Sequence, residues 1–332
     1  MVRKSILAII VSIIAVSIIV LTLVQDDKVG LATKKDPIKI GITVWSGDAH
    51  AFLALKKGLF EKNDVQVDLY FADQYSEIEQ KYLAGELDGI FATLTDAINF
   101  NINGINSKVV YVTDYSNDAD VIVGRAALMS DLKDKTISAE DTDGYSRIFV
   151  LKALEKSGLS ENDVNFAVIP AHEVLSALEN GQIDAGHTWE PTKSDAVKKG
   201  YMVLFSGGQI PGTITSTLVF NSKIIEERPD DIMAIVKSMI AAQEYRDLNW
   251  KESMIIMADA EGLLASDIES GFDGMNSLDL KENLYAFTNS NSTESLYNSG
   301  NFIIEHYKKN GKTNIPPIDD IIEPRFINKL TT

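Results

Sequence analysis

Gly58-Leu59-Phe60-Glu61-Lys62-Asn63-Asp64-Val65 returns about a hundred residues later as Gly158-Leu159-Ser160-Glu161-Asn162-Asp163-Val164. Leu83-Ala84-Gly85-Glu86-Leu87-Asp88 returns, in the same order, as Leu178-Glu179-Asn180-Gly181-Gln182-Ile183-Asp184. In each copy a helical pattern ends at a glycine suited to a left-handed cap, and a Gly-x-x-Asp turn leads into a short apolar strand. One such match is ordinary α/β punctuation; two in the same order point to a chain built from two related halves.

Reading outward from the first copy, Ile38-Lys-Ile-Gly-Ile-Thr-Val is a strand, Ala51 to Lys57 a helix and Val65 to Phe71 a second strand. Glu77 to Leu83 is helical, and Asp88-Gly-Ile-Phe-Ala is a third strand. That β-α-β-α-β order favours a parallel sheet with ligands at the carboxyl ends of its strands. Four strand-to-helix loops then fall at one edge of the two halves: Trp45-Ser46-Gly47-Asp48, Thr93-Leu94-Thr95-Asp96, Asp143-Gly144-Tyr145-Ser146 and Trp189-Glu190-Pro191-Thr192. After the second copy, Thr217-Leu-Val-Phe-Asn reads as a strand returning to the first half. Pro229 starts a long helix running to about Leu248, and helical patterns follow near 251–258, 265–272 and 295–309.

At 332 residues the chain has room for two ordinary cores. A net charge of −17 excludes the basic face that nucleic acid requires. With no cysteine, thiolate metal sites, thiol nucleophiles and disulfides are all excluded. Arg3 and Lys4 precede an unbroken apolar run from Ser5 to Val24, long enough as a helix to span a bilayer. Its length favours a retained anchor over a cleaved signal, although Gly30-Leu31-Ala32 offers a weak cleavage point. The cationic start leaves the body outside the cytoplasm.

The series Ile40-Gly41-Ile42 with Trp45, Lys57-Gly58-Leu59-Phe60, Leu83 to Gly89, Asp114-Tyr115-Ser116-Asn117, and Asp184-Ala185-Gly186 before Trp189-Glu190-Pro191 resembles the nitrate/sulfonate/taurine/thiamine-precursor group of ABC importer substrate-binding proteins. The resemblance spans roughly residues 37–310. It implies an α/β type II periplasmic-binding fold: two similar lobes joined by a two-strand hinge, here preceded by an N-terminal membrane helix. The expected organisation is a signal or anchor helix at 1–25 and a tether at 26–36. One lobe takes 37–123 with 217–332 and the other 124–216, with crossings near Val123 to Arg125 and Thr215 to Leu218. It also implies a monomer that passes a sulfonate-, taurine-, nitrate- or thiamine-pyrimidine-like solute to a permease and its ATPase, with no cofactor and no catalysis.

Trp45 and Trp189 are two of three tryptophans, and both fall in these loops. Their faces suit cationic or planar ligands, or fill a core between the halves. Tyr115 and Tyr145 read the same way, while Tyr75 follows a strand and reads as a sheet-end cover. Ser46, Thr93, Thr95, Ser116, Ser146 and Thr213 offer hydroxyls to a ligand or cap helices. The helix start at Tyr145-Ser146 also suits an oxyanion. Asp48, Asp114 and Glu190 are acidic, and Arg147 is the one arginine near them. A bare anion lacks a clamp here; an amine-bearing or neutral planar solute fits better, unless these acids only cap turns or face water. His50, His172, His187 and His306 show no metal-ligand spacing. No nucleophile elbow, phosphate loop or metalloprotease helix occurs. The rival functions are a sensory ectodomain and a pyrimidine-forming enzyme of the same fold.

Overall fold

A computed structural model describes residues 35–331. The expected membrane helix at 1–25 and the tether through residue 34 lie outside the described residues. Among the described residues no helix is long and apolar enough to cross a membrane.

Two sheets organise the chain from Pro37 onward. In the first, β1 (Ile38–Ile42) lies between β2 (Val67–Phe71) and β3 (Gly89–Thr93), parallel to both. β4 is Ser107–Ser116 and β10 Thr215–Asn221; β10 inserts antiparallel between β3 and β4, and β11 (Met275–Ser277) closes the far edge. In the second sheet β6 (Thr136–Ala139) lies parallel between β7 (Asn165–Val168) and β8 (Ala185–Thr188). β5 (Val121–Gly124) inserts antiparallel between β8 and β9 (Met202–Ser206). The orders β2-β1-β3-β10-β4 and β7-β6-β8-β5-β9 are equivalent.

The repeated sequences occupy equivalent places. Gly58 and Gly158 precede the edge strands β2 and β7 with φ of 63° and 77°, and Gly85 and Gly181 precede β3 and β8 with φ of 74° and 71°. Glycine alone takes that left-handed backbone without a Cβ clash. Asp88 and Asp184 also repeat one bond: their carboxylates accept from the backbone N–H of Lys39 at 2.8 Å and of Thr136 at 2.9 Å. Each tethers the start of the central strand to the turn before its neighbour.

The chain passes between the sheets twice, at Asn117–Asp120 and Gly207–Ile214. The first passage lies a few residues before the expected crossing, because β5 pairs along its whole length with β8 and β9. The second precedes β10, which pairs wholly within the first sheet.

Helices cover both sheets. Those used below are α1 (His50–Lys56), α2 (Tyr75–Leu83), α3 (Leu94–Ile102), α4 (Tyr145–Lys156), α5 (Val174–Glu179) and α6 (Thr192–Lys198). Four longer ones follow in the chain's last third: α7 (Pro229–Leu248), α8 (Trp250–Glu261), α9 (Ala265–Asp273) and α10 (Leu296–Lys309). One core joins the first sheet to α1, α2, α3, α7, α8 and α10. The second sheet has an apolar cluster on each face, and strand alternation sends Ile122 to one and Val121 and Val123 to the other. Ile148 on α4 is buried in the first core, so the halves touch directly. The Tyr307 hydroxyl donates to the Asp143 carbonyl, and Lys312 pairs with the Asp143 carboxylate at 3.3 Å.

If the halves are independent repeats, Asp88→Ala and Asp184→Ala should each lower the unfolding free energy by about 1 kcal/mol. The double variant should show the sum within about 0.5 kcal/mol, since the two bonds share no partner. Urea denaturation of the four proteins measures this; a silent Asp184→Ala would refute the equivalence.

Candidate functional site

The loop after β1 folds into a turn, with the backbone N–H groups of Asp48 and Ala49 donating to the Trp45 carbonyl at 3.0 and 3.1 Å. The turn aims Trp45 across the sheet end, where its indole N–H donates to Asp114 Oδ2 at 3.0 Å. Gly47 makes that approach possible: a Cβ there would stand 2.0 Å from the same carboxylate oxygen. Ser46 packs in the same way on Gly271 of α9.

Behind Trp45, Thr113 Oγ1 lies 3.0 Å from Asp48 Oδ1 and 2.9 Å from Asp114 Oδ2. One hydroxyl carries one proton, so it donates to one acid and accepts from the other. Burial, followed by repulsion from Asp114, holds the Asp48 carboxyl well above the usual range. Burial also pushes Asp114 up to about 6, against the bonds from Trp45 and Thr113. Protonated Asp48 donating to Thr113, and Thr113 to ionised Asp114, satisfies both contacts with one shared proton.

Glu261, at the end of α8, accepts from the Trp45 backbone N–H at 3.4 Å, and burial raises it to about 7. Its second oxygen is buried without a hydrogen-bond partner. Asp114 Oδ1 has no close hydrogen bond, and the Ser216 hydroxyl across the β4–β10 pair is the donor that acts on this carboxyl beside Trp45 and Thr113. The charged groups acting on Asp48 are the carboxyls of Asp114 and Glu261, and among the described residues no cation acts on Glu261. The nearby Arg246 instead donates from one terminal nitrogen to His50 Nε2 and Ser277 Oγ, each at 3.0 Å, and from its other two nitrogens to Asp247. His50 in turn donates from Nδ1 to the Gly47 carbonyl at 2.7 Å. Burial and Arg246 lower His50 to about 3, so it is neutral and serves as a spacer beneath the turn.

Thr93 is a helix cap: its hydroxyl accepts from Asp96 N–H, and Asp96 reaches back to the Thr93 N–H at 3.0 Å. Thr95 is buried in α3. Beside them, Tyr75 at the start of α2 is acted on by Asp96 and Asp48, linking this loop to the Trp45 turn.

In the second half Ser146 Oγ, His187 Nδ1, His187 Nε2 and Asp120 Oδ1 form a chain, with contacts of 2.8 and 2.9 Å. The composition is that of a nucleophilic relay. Ser146 Oγ, however, also accepts from Glu140 N–H at 2.8 Å, and Ser146 and His187 are fully buried. In this arrangement the network ties the first passage between the sheets to the α4 loop. Tyr145 and Trp189 face each other at 6.2 Å, with His187 in aromatic contact with both. Tyr145 is acted on by Asp120 and by Asp96 from the first half, and Asp120 also acts on Asp114. The two clusters therefore border one region.

The start of α4 is already filled by an anion of the protein. Asp141 accepts from the N–H groups of Gly144 and Arg147, where an external oxyanion was expected. Arg147 turns away, pairing with Glu161 and covering the Phe166 ring. Lys193 is held by the Asp118 carbonyl at 2.7 Å and by Glu190.

Four candidate residues lie elsewhere. Tyr115 points to the opposite side of β4 from Asp114. It donates to the Glu294 carbonyl at 2.6 Å and lines a cavity of about 540 Å³ with Asp279 and Lys281. Exposed Glu190 caps α6 by accepting from Ser194 N–H at 3.1 Å. Ser116 caps the first passage by accepting from Asp120 N–H. Thr213 borders a cavity of about 170 Å³ between α4 and α10. Conversely, Thr113, Asp120, Asp141 and Glu261 join these clusters without having stood out in the sequence, and His187 was weighed there only as a metal ligand. Among the described residues no group of three acidic or histidine side chains is placed to hold a metal ion.

The NMT1-like family matches residues 31–258. A Brucella abortus protein named as a binding protein is 26% identical over 229 residues, 67% of this chain and 70% of its own length. The periplasmic aliphatic sulphonate binding protein SsuA from Escherichia coli superposes with a TM-score of 0.70 at 18% identity, covering 89% of this chain and 99% of that one. The desulfurization enzyme DSZB superposes with 0.61 at 13% identity, covering 89% and 98%. At such identities the structures show a shared fold, and that fold serves both binding and catalysis.

The raised carboxyls give a pH signature. Between about pH 4.5 and 7 the folded state holds protons that the unfolded chain has released, so stability is highest at the acid end and falls as pH rises. Glu261 faces Asp48 and the Trp45 N–H, and Glu261→Gln removes its share of that loss. The variant should match the parent near pH 4.5 and exceed it near pH 8 by on the order of 2–3 kcal/mol. Denaturation curves at the two pH values measure this; an unchanged difference between variant and parent would contradict it.

Proposed function

We propose, for a chain that belongs to the NMT1-like family, the role of an extracytoplasmic solute-binding protein of an ABC importer. It captures a small polar solute between two lobes, each built on one of the two sheets and joined by the passages at Asn117–Asp120 and Gly207–Ile214, and delivers it to a permease and its ATPase. The apolar run at Ser5–Val24 holds the body at the outer membrane face.

The observation that carries this reading is the double passage between equivalent sheets, with aromatic and carboxyl side chains from both gathered beside it. Two adjacent connecting segments allow the lobes to rock about one axis while each sheet stays intact. A solute that touches both lobes favours the closed form, and closure creates the surface a permease can read. The relatives named for binding support the role; those named for sulphonate leave this chain's own solute to its own side chains. On this reading Trp45, Asp48, Asp114, Tyr145 and Trp189 contact the solute. Ser46, Thr93, Thr95 and Ser146 hold those groups in place.

A thermal-shift screen of small amines, amino acids, sulfonates and nitrate tests this. At a hundred times its dissociation constant, a bound solute stabilises the protein by about 2.7 kcal/mol. Trp189→Ala should abolish the shift and leave the ligand-free melting temperature within a few degrees. A hit that survives both Trp189→Ala and Trp45→Ala would place binding outside the interlobe site.

A further inference from the structure

We propose that the solute is a small organic cation, an ammonium compound with an apolar or planar body. Its N–H groups sit on Asp114 and Glu261 beside Trp45, and its body lies against Tyr145 and Trp189. The inference rests on the binding role above and names the chemistry of that same site.

Three observations carry it. Glu261 and Asp114 are nine-tenths or more buried; Glu261 keeps an oxygen without a donor, and Asp114 Oδ1 has only the Ser216 hydroxyl across the strand pair to turn to. A buried acceptor left without a hydrogen bond is costly, and a donor group from outside removes that cost. The acids around the region come from both halves: Asp48, Asp96, Asp114 and Glu261 from one, Glu140 and Asp141 from the other, with Asp120 between them. The neighbouring cations are committed elsewhere, Arg147 to Glu161, Arg246 to His50 and Asp247, Lys193 to Asp118 and Glu190.

The places an anion would use are closed to it. Asp141 occupies the N–H groups at the start of α4, and a sulfonate there would meet a carboxylate. An ammonium group meets the opposite field, and the paired rings of Tyr145 and Trp189 present the π faces that cations favour. No described acids are arranged to hold a metal ion, so the fitting cation is organic.

Isothermal titration of the full chain with benzylammonium, benzyl alcohol and phenylmethanesulfonate separates the possibilities, since the three differ mainly in charge. Benzylammonium should bind at least tenfold more tightly than benzyl alcohol near pH 8. Its binding should weaken as pH falls towards 5, where protons compete for the same oxygens. Asp114→Asn and Glu261→Gln, which each remove a repulsive buried charge, should each weaken it about tenfold. Tighter binding of phenylmethanesulfonate would overturn the cation and leave the binding role standing. Benzylammonium binding that ignores both substitutions would put the cation elsewhere and overturn the assignment. No binding by any of the three to a cooperatively folded protein would overturn the cation together with the binding role.

Discussion

The two passages between the sheets are pinned to each other by two backbone bonds, from Gly207 N–H to the Asp120 carbonyl at 3.0 Å and from Gly208 N–H to the Asn117 carbonyl. A side chain at Gly207 would collide with the Ser116 carbonyl at 2.7 Å, so the contact admits little else. Asp120 also sends its carboxylate to His187, and through His187 to Ser146 at the start of α4. One residue thus ties the second passage to the first and both to the aromatic pair. On the proposed role, a rocking of the halves would pivot on this residue and carry the Tyr145–Trp189 pair with it.

The same economy governs charge. Burying a carboxylate without a partner is costly, and a protein can relieve it by a cation, by donors or by taking up a proton. The second half uses donors: Asp141 rests on the N–H groups of α4. The first half uses protons, because its cations are spent: Arg246 serves His50 and Asp247 rather than Asp48 or Asp114. A single proton on Asp48, passed through Thr113, lets two adjacent acids sit side by side. Glu261 has neither remedy in full, and it is the least satisfied acid of the set.

The fold was legible because its punctuation is local. Left-handed glycines and the aspartates three residues later announce the same turn in both halves, whatever packs around them. Trp45 and Trp189 were legible as loop aromatics, and Thr93 as a cap by its spacing to Asp96. Asp114-Tyr115-Ser116 could not all face one region, since successive strand residues point to opposite sides: Tyr115 turns to the far side and Ser116 is taken up in capping the first passage. Glu261 was not legible. It reaches Trp45 from 216 residues along the chain at the end of a helix, and no local pattern marks such an encounter. Asp120 and His187 are partners only because β5 pairs with β8, a strand exchange that the expected crossing positions obscured.

These features bear on why binding should be conditional. If the halves close on a solute as proposed, Asp96 and Asp141, which already act on one another, would draw nearer and add like charge to a region poor in counter-charge. Without a solute that repulsion opposes closure, and the salt bridge of Lys312 with Asp143 and the packing of Ile148 favour it. A balance of a few kcal/mol is the range in which a ligand can decide the outcome, because it shifts the equilibrium only by its differential affinity for the two forms. A neutral solute would add contacts but leave the repulsion in place. A cation adds the same contacts and removes the repulsion, so charge would let the closed form report the right solute, not merely the presence of one.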